Sequence, residues 1–326
     1  MAWKVVVTTL KILVVCLTFA VCFVAGEALS GLDKAAQQAT PSTVTLQSPS
    51  GQVASPPPEA QANQIPSQRP DNLLFPFLIC SVSVGVILSY LILRSSWHGW
   101  PLVGAVFVGM YGTSTVATQV ETVFFLSNKL PHGMIRALFL QGAITAALFA
   151  PLAVLLLGKW RTSSPTLMTS TTDRFHTSSV AARLAVIVVA FVFLYMFFGY
   201  YVAWQSPAVR QYYGGPEQPS FFAALKDGLM HNPWLYPLQV FRALLYAACM
   251  YPLIRMLRRT RWETALAMAL FLSVWTTMLL LPNPLMPPDV AYAHFRETLG
   301  FSIVFGGLAG WLLSNPPNRF ESVTAS

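Results

Sequence analysis

The segment GTSTVATQVETVFF (Gly112 to Phe125) sits inside an apolar run long enough to cross a membrane, yet it carries a glutamate, a glutamine and a cluster of hydroxyls. At helical spacing Tyr111, Ser114, Thr118 and Glu121 share one face, Gly112, Thr115, Gln119 and Thr122 lie beside it, and Val116 and Val123 lie opposite. Hydroxyls can bond the carbonyls of their own helix, so they need no partner elsewhere. Glu121 does. A central intramembrane carboxylate costs about 2.5–3.5 kcal/mol on insertion scales, so it requires water, a cation or a proton. Its possible chemistry is ion pairing, proton carriage or general-base work.

Candidate cations recur in a pattern. PHGMIRALFL (Pro131 to Leu140), PLQVFRALLY (Pro237 to Tyr246) and VAYAHFRETL (Val290 to Leu299) each place an arginine soon after a span begins: Arg136, Arg242 and Arg296. The first two share Pro, four residues and Arg-Ala-Leu; the third keeps a Phe-Arg core. The likeness suggests a bundle built from repeated helical hairpins. At 1.5 Å per residue Glu121 and the three arginines fall within ~10 Å of one surface, and Arg136, on the next helix after a short turn, is the favoured partner of Glu121. The competing reading is that the arginines snorkel to headgroups and never meet. Gln239, Arg242 and Tyr246 share a helical face, and His294 and Glu297 lie one turn apart with Arg296 pointing elsewhere. The row His294, Thr298, Ser302, Gly306, Gly310 is a stripe of mostly small residues suited to close helix packing. The candidate ligand-binding or ion-coupling residues are therefore Glu121, Arg136, Arg242, Arg296, Gln119, Gln239, His294 and Glu297.

Other chemistries find no footing. Cys16, Cys22, Cys80 and Cys249 form no CxxC and have no zinc or disulfide spacing. His132, His231 and His294 are not spaced as metal ligands, so neither a metal nor a cofactor is expected. GxGxxG, GxxxxGK, HExxH and GxSxG are absent. A net charge of +8 and a pI near 9.5 might suggest nucleic acid, but the basic residues stand at helix ends, where membrane topology accounts for them.

The elements that must position these residues are helices in lipid. Hydrophobic residues make up 55% of the chain and charged ones 10%, against about 25% charged in soluble domains, which sets the class. Seven runs, near 73–93, 101–127, 133–157, 181–204, 235–255, 263–281 and 294–313, reach the ~20 residues a span needs. Strands of a barrel would be shorter and would alternate. The expected fold is all-α: a polytopic transmembrane bundle of seven spans plus an N-terminal signal peptide or signal anchor, which in the second case is an eighth span. Residues 1–26 favour a cleaved signal by the short apolar stretch Ile12 to Gly26. Residues 27–72, with seven prolines, seven glutamines and no aromatic, are expected to form a disordered extracytoplasmic tether. The bundle fills 73–313 and a cytoplasmic tail 314–326.

Ten basic residues fall in one set of loops and five in the other, with RMLRRTRWE (Arg255 to Glu263) the densest group. The richer side is expected to be cytoplasmic, placing the C-terminus inside and the Pro/Gln segment outside a plasma or inner membrane. SFFAALKDGLM (Ser220 to Met230) reads as an interfacial helix with a serine start and a glycine stop. Three functions fit: binding or transport of a small anionic or lipid-headgroup ligand through an outward-facing polar pocket; an intramembrane enzyme on a lipid-linked substrate; or a scaffold whose tail recruits partners. The bilayer is the partner common to all three. The first leads, because no nucleophile, base and orienter can be assembled from the sequence.

Overall fold

A computed structural model describes residues 2–39, 73–127, 130–161, 177–213, 219–257, 259–281 and 286–314. Most of the proposed tether (40–72), the Ser/Thr-rich stretch 162–176 and nearly all of the C-terminal tail lie outside these residues. Among the described residues the chain is helical and contains no strand. The long helices are α1 (Ala2–Ser30), α3 (Leu74–Arg94), α4 (Gly99–Tyr111), α6 (Met134–Leu156), α7 (Thr177–Phe198), α10 (Leu235–Leu257), α11 (Arg261–Thr276) and α12 (Pro288–Leu313). Shorter helices are α2 (Leu32–Ala39), α5 (Ala117–Leu126), α8 (Pro207–Tyr213) and α9 (Phe221–His231). A π-helical turn, Gly112–Val116, joins α4 to α5, and another, Gly199–Ala203, extends α7.

Among the described residues seven helices are long and apolar enough to span a bilayer, so the chain is a multi-pass membrane protein. The set differs from the expected one in two places. It includes Trp3–Ser30, and it omits α12, which has the length but carries Asp289, Arg296 and Glu297. The first helix is longer than the Ile12 to Gly26 stretch that suggested a cleaved signal. It packs against α3 and α6, burying Val15, Phe19 and Cys22 in the common core. Residues 27–39, read as the start of the tether, are helical, turning at Gly31 in a left-handed conformation (φ 74°).

One end of the bundle is tied by loop contacts. Lys159 donates to the Ser95 carbonyl at 2.9 Å, the Ser96 amide to Met256 O at 2.8 Å, and Arg94 pairs with Glu263 at 2.6 Å. Half-burial lowers the Lys159 pKa from its ordinary value, and the positive charge of Arg259 adds to the effect. Lys11 reaches Gly158 at this same basic end, leaving Ile12 to Ser30 to cross the bundle. At the far end a small cluster of Ala203, Val209, Val290 and Ala293 clamps α8 onto the start of α12. Here α9 begins at Ser220, whose hydroxyl accepts from the Ala223 amide, and it runs past Gly228 to His231. It buries no residue and leaves Phe222, Leu229 and Met230 exposed.

Candidate functional site

The polar segment folds as a helix with one wide turn. Thr113 and Ser114 donate to Gly109 O and Met110 O, each at 2.7 Å, and Thr118 to Thr113 O at 3.4 Å, which helps satisfy carbonyls where the π turn displaces backbone bonds. A Cβ on Gly112 would strike Cys249, and one on Gly142 would strike Thr115, so part of the segment is a packing seam against α10 and α6. The π turn adds a residue to the repeat and rotates everything beyond it by roughly 100° relative to an ideal helix. The single face expected for Ser114, Thr118 and Glu121 therefore breaks up at the turn: Ser114 lies within it and bonds its own helix, whereas Thr118 and Glu121, both beyond it, meet α10 together, at Tyr246 and Arg242.

Glu121 Oε2 pairs with Arg242 Nη2 at 2.6 Å. The guanidinium is buried, and its other two nitrogens are also engaged: Nε donates to Ala117 O at 3.0 Å and Nη1 to Gln239 Oε1 at 2.8 Å. The rings of Phe191 and Tyr195 on α7 lie 5.8 and 5.9 Å from its carbon centre, within cation–π range. Tyr246, one turn further along α10, also interacts with it. The Glu121 side chain is 28% exposed against 7% for Arg242, so the carboxylate is the accessible half of the pair.

Arg136, the favoured partner, is not the one used. It is the third residue of α6, about 3 Å along the axis from the helix start, whereas Arg242 lies about 10 Å into α10 and Glu121 about 8 Å from the end of α5. Depth decides the pairing. Arg136 and Arg296 are exposed at the far end, so the three arginine motifs begin alike in sequence but end in different environments. Gln119 has a buried Oε1 without a hydrogen-bond partner. Gln239 is fully buried; its Oε1 faces Arg242, which fixes its amide nitrogen as the atom left without a partner.

α12 adds a second ion pair. His294 Nδ1 lies 2.7 Å from Glu297 Oε2, and its Nε2 lies 3.3 Å from the Tyr213 hydroxyl on α8. A carboxylate facing Nδ1 holds the proton there in the neutral ring, so Nε2 accepts and Tyr213 donates. Burial, with neighbouring Tyr212 and the two glutamates, raises the Tyr213 pKa well above its ordinary value and keeps the hydroxyl protonated. Glu297 Oε1 rests beside Gly199 in the second π turn. Tyr195, one turn earlier on α7, interacts with Glu121, Arg242 and Glu297 and so stands between the two pairs. Glu121 and Glu297 against Arg242 leave one negative charge, which a protonated His294 offsets.

No family model matches this chain, and no curated protein or solved structure is similar to it at a significant level. Its geometry alone must carry the functional argument.

Tyr195 and Tyr213 are the members that sequence reasoning missed. One sits on an apolar helix without polar periodicity, the other in a loop helix whose docking onto α12 has no local signature. Two other histidines stay apart from the site: His231 pairs with Asp227 on α9, and His132 lines a cleft with Arg136. Two clefts open elsewhere. One, of about 460 Å³, lies between α7 and α10 beside Arg183 and Tyr251; the other, of about 450 Å³, lies beside Arg136. Neither is lined by Glu121 or Arg242.

Proposed function

We propose that the protein binds a small oxyanion at Arg242 and Gln239, that Glu121 is the group the anion displaces, and that anion entry is thereby tied to proton uptake. The observation that carries this reading is the Gln239 amide nitrogen, a buried donor without a partner, next to a guanidinium whose exchangeable ligand is a partly exposed carboxylate. A carboxylate and an anion compete for the same Nη2; protonating Glu121 weakens its hold and leaves a buried cation in need of a counter-ion. Arg136 and Arg296 stand outside this site. The anion-binding role is thus narrowed from three arginines to one, with coupling through Glu121 in place of a broadly cationic pocket.

Sulfate suits the test because its charge is constant across the working range. Binding to the purified protein, measured by calorimetry, is expected to strengthen as pH falls. Glu121→Gln should bind at every pH, and Arg242→Gln at none. Absence of sulfate binding in both wild type and Glu121→Gln at all pH values sinks the proposal.

A second reading rests on the Tyr213–His294–Glu297 row, which supplies a hydroxyl, a base and an orienting carboxylate for an intramembrane enzyme acting on a lipid-linked substrate. His294→Gln separates the two. It spares sulfate binding on the first reading, and it abolishes turnover of a lipid-linked ester on the second.

The threading is proposed as eight spans with both termini inside: α1 retained as an anchor, α12 spanning beside α11, and the basic end cytoplasmic. The burial of Val15 and Phe19 supports retention of α1, and the basic loops support the orientation. An N-terminal tag should stay on the purified protein, and reporters fused at either terminus should read as cytoplasmic. Loss of the tag, or an external signal at Ser326, overturns the scheme.

A further inference from the structure

The second cleft carries a ligand assignment of its own, remote from Arg242. α1 ends at Ser30, the chain turns at Gly31, and α2 folds down beside the start of α6. This elbow frames a cleft of about 450 Å³ whose lining includes Ser30 from α1, Lys34 from α2, His132 from the loop before α6 and Arg136 from α6, with no carboxylate. Leu29 (70% exposed) and Leu140 (39% exposed) line it too, so it is basic in part and apolar in part. The acids of the elbow, Glu27 and Asp33, are not in the lining.

We propose that this cleft binds the phosphate of an anionic lipid headgroup, with Lys34 and Arg136 on the phosphate and an acyl chain along Leu29 and Leu140. The position fits the chemistry. The cleft opens where a spanning helix gives way to a short surface helix, the level at which headgroup phosphates lie and where long basic side chains reach them. Arginine gives a planar fork to phosphate oxygens, and lysine adds a compact charge. A soluble phosphate would use the basic side chains but gain nothing from the two leucines.

The test uses the full chain purified in detergent micelles containing equal phosphatidylglycerol and phosphatidylcholine, with retained lipid read by native mass spectrometry. Wild type is expected to retain phosphatidylglycerol preferentially. Lys34→Gln and Arg136→Gln should each lower that preference roughly fivefold, and the triple variant with His132→Gln should abolish it. All three side chains are exposed, so these variants are expected to fold like wild type, which their unfolding midpoints check. Phosphatidylglycerol retention unchanged in the triple variant overturns the site. Binding of inorganic phosphate by wild type without any headgroup preference overturns the lipid assignment. Neither result bears on Arg242, whose sulfate binding is measured separately.

Discussion

Glu121→Gln and Arg242→Gln are each expected to destabilise the detergent-solubilised protein by roughly 3 kcal/mol, and the double variant is expected to recover part of the loss. The figure is the lower end of the ~3–5 kcal/mol found for breaking a buried ion pair. The lower end applies because Glu121 keeps some exposure and glutamine keeps an acceptor. Glu121→Gln strands a guanidinium that cannot release its proton, between the Ala117 carbonyl, Gln239 and two aromatic rings. Arg242→Gln removes those bonds but leaves a carboxylate free to take a proton. The two losses should therefore answer differently to salt. Sulfate should restore the unfolding midpoint of Glu121→Gln by giving the stranded cation a counter-ion, and should leave Arg242→Gln unmoved. SDS-unfolding curves for the four proteins, with and without sulfate, provide the cycle. Additive losses in the double variant would mean that the two side chains do not act as a pair. Restored stability in Arg242→Gln would mean that sulfate acts somewhere other than the guanidinium.

Why the sequence offered Arg242 among three partners for Glu121 but favoured Arg136 is a matter of helix geometry. Apolar runs and their charged ends are written directly in composition, because hydrocarbon admits only helices of sufficient length. The spanning helices from 74 to 280 were accordingly legible to within a few residues. α12 was legible as a helix although its hydropathy is marginal. A π turn has no such signature: five residues of GTSTV look the same at 3.6 residues per turn or at a wider pitch, yet the wide turn re-aims Glu121. Depth was legible in the expected runs from 133 and 235, but the short connecting turn pointed to Arg136 instead. The start of α6 at Met134 follows Gly133, whose φ of 86° ends the preceding loop, and that start alone makes Arg136 too shallow for Glu121. The His294–Glu297 pair lay one turn apart on one helix and was readable. Tyr213 was not, since its place depends on Val209 packing against α12 across more than eighty residues of chain. Local periodicity reports which side chains share a face; it does not report which other helix that face meets.

The small-residue stripe makes the sharpest mechanical prediction, and it concerns two neighbouring glycines. A Cβ on Gly306 would lie 2.6 Å from Met268 O and 2.9 Å from Ala269 Cα, and one on Gly310 would lie 2.8 Å from Thr264 O and 3.0 Å from Ala265 Cα. All four are backbone atoms, so no side chain can rotate away, and the helices themselves must separate. Gly307, next in sequence, meets nothing nearer than the Ala269 Cβ at 3.9 Å. In lipid there is no hydrophobic drive to hold α11 and α12 together once their close packing is lost, because hydrocarbon tails replace the lost contacts. Gly306→Ala is therefore expected to cost roughly 1–3 kcal/mol, the usual price of overpacking, and Gly306→Leu to prevent stable folding. Gly307→Ala should be neutral, or stabilising by about 0.5–1 kcal/mol through helix propensity. The damage should also reach the site. α12 carries His294 and Glu297, and its displacement moves that pair away from Tyr213 and Tyr195. Gly306→Ala should therefore perturb the titration of His294, followed by imidazole NMR signals, whereas Gly307→Ala should not. Equal behaviour of the two alanine variants would show that α11 and α12 do not touch through their backbones, and would remove the rigid strut on which the His294–Glu297 pair is carried.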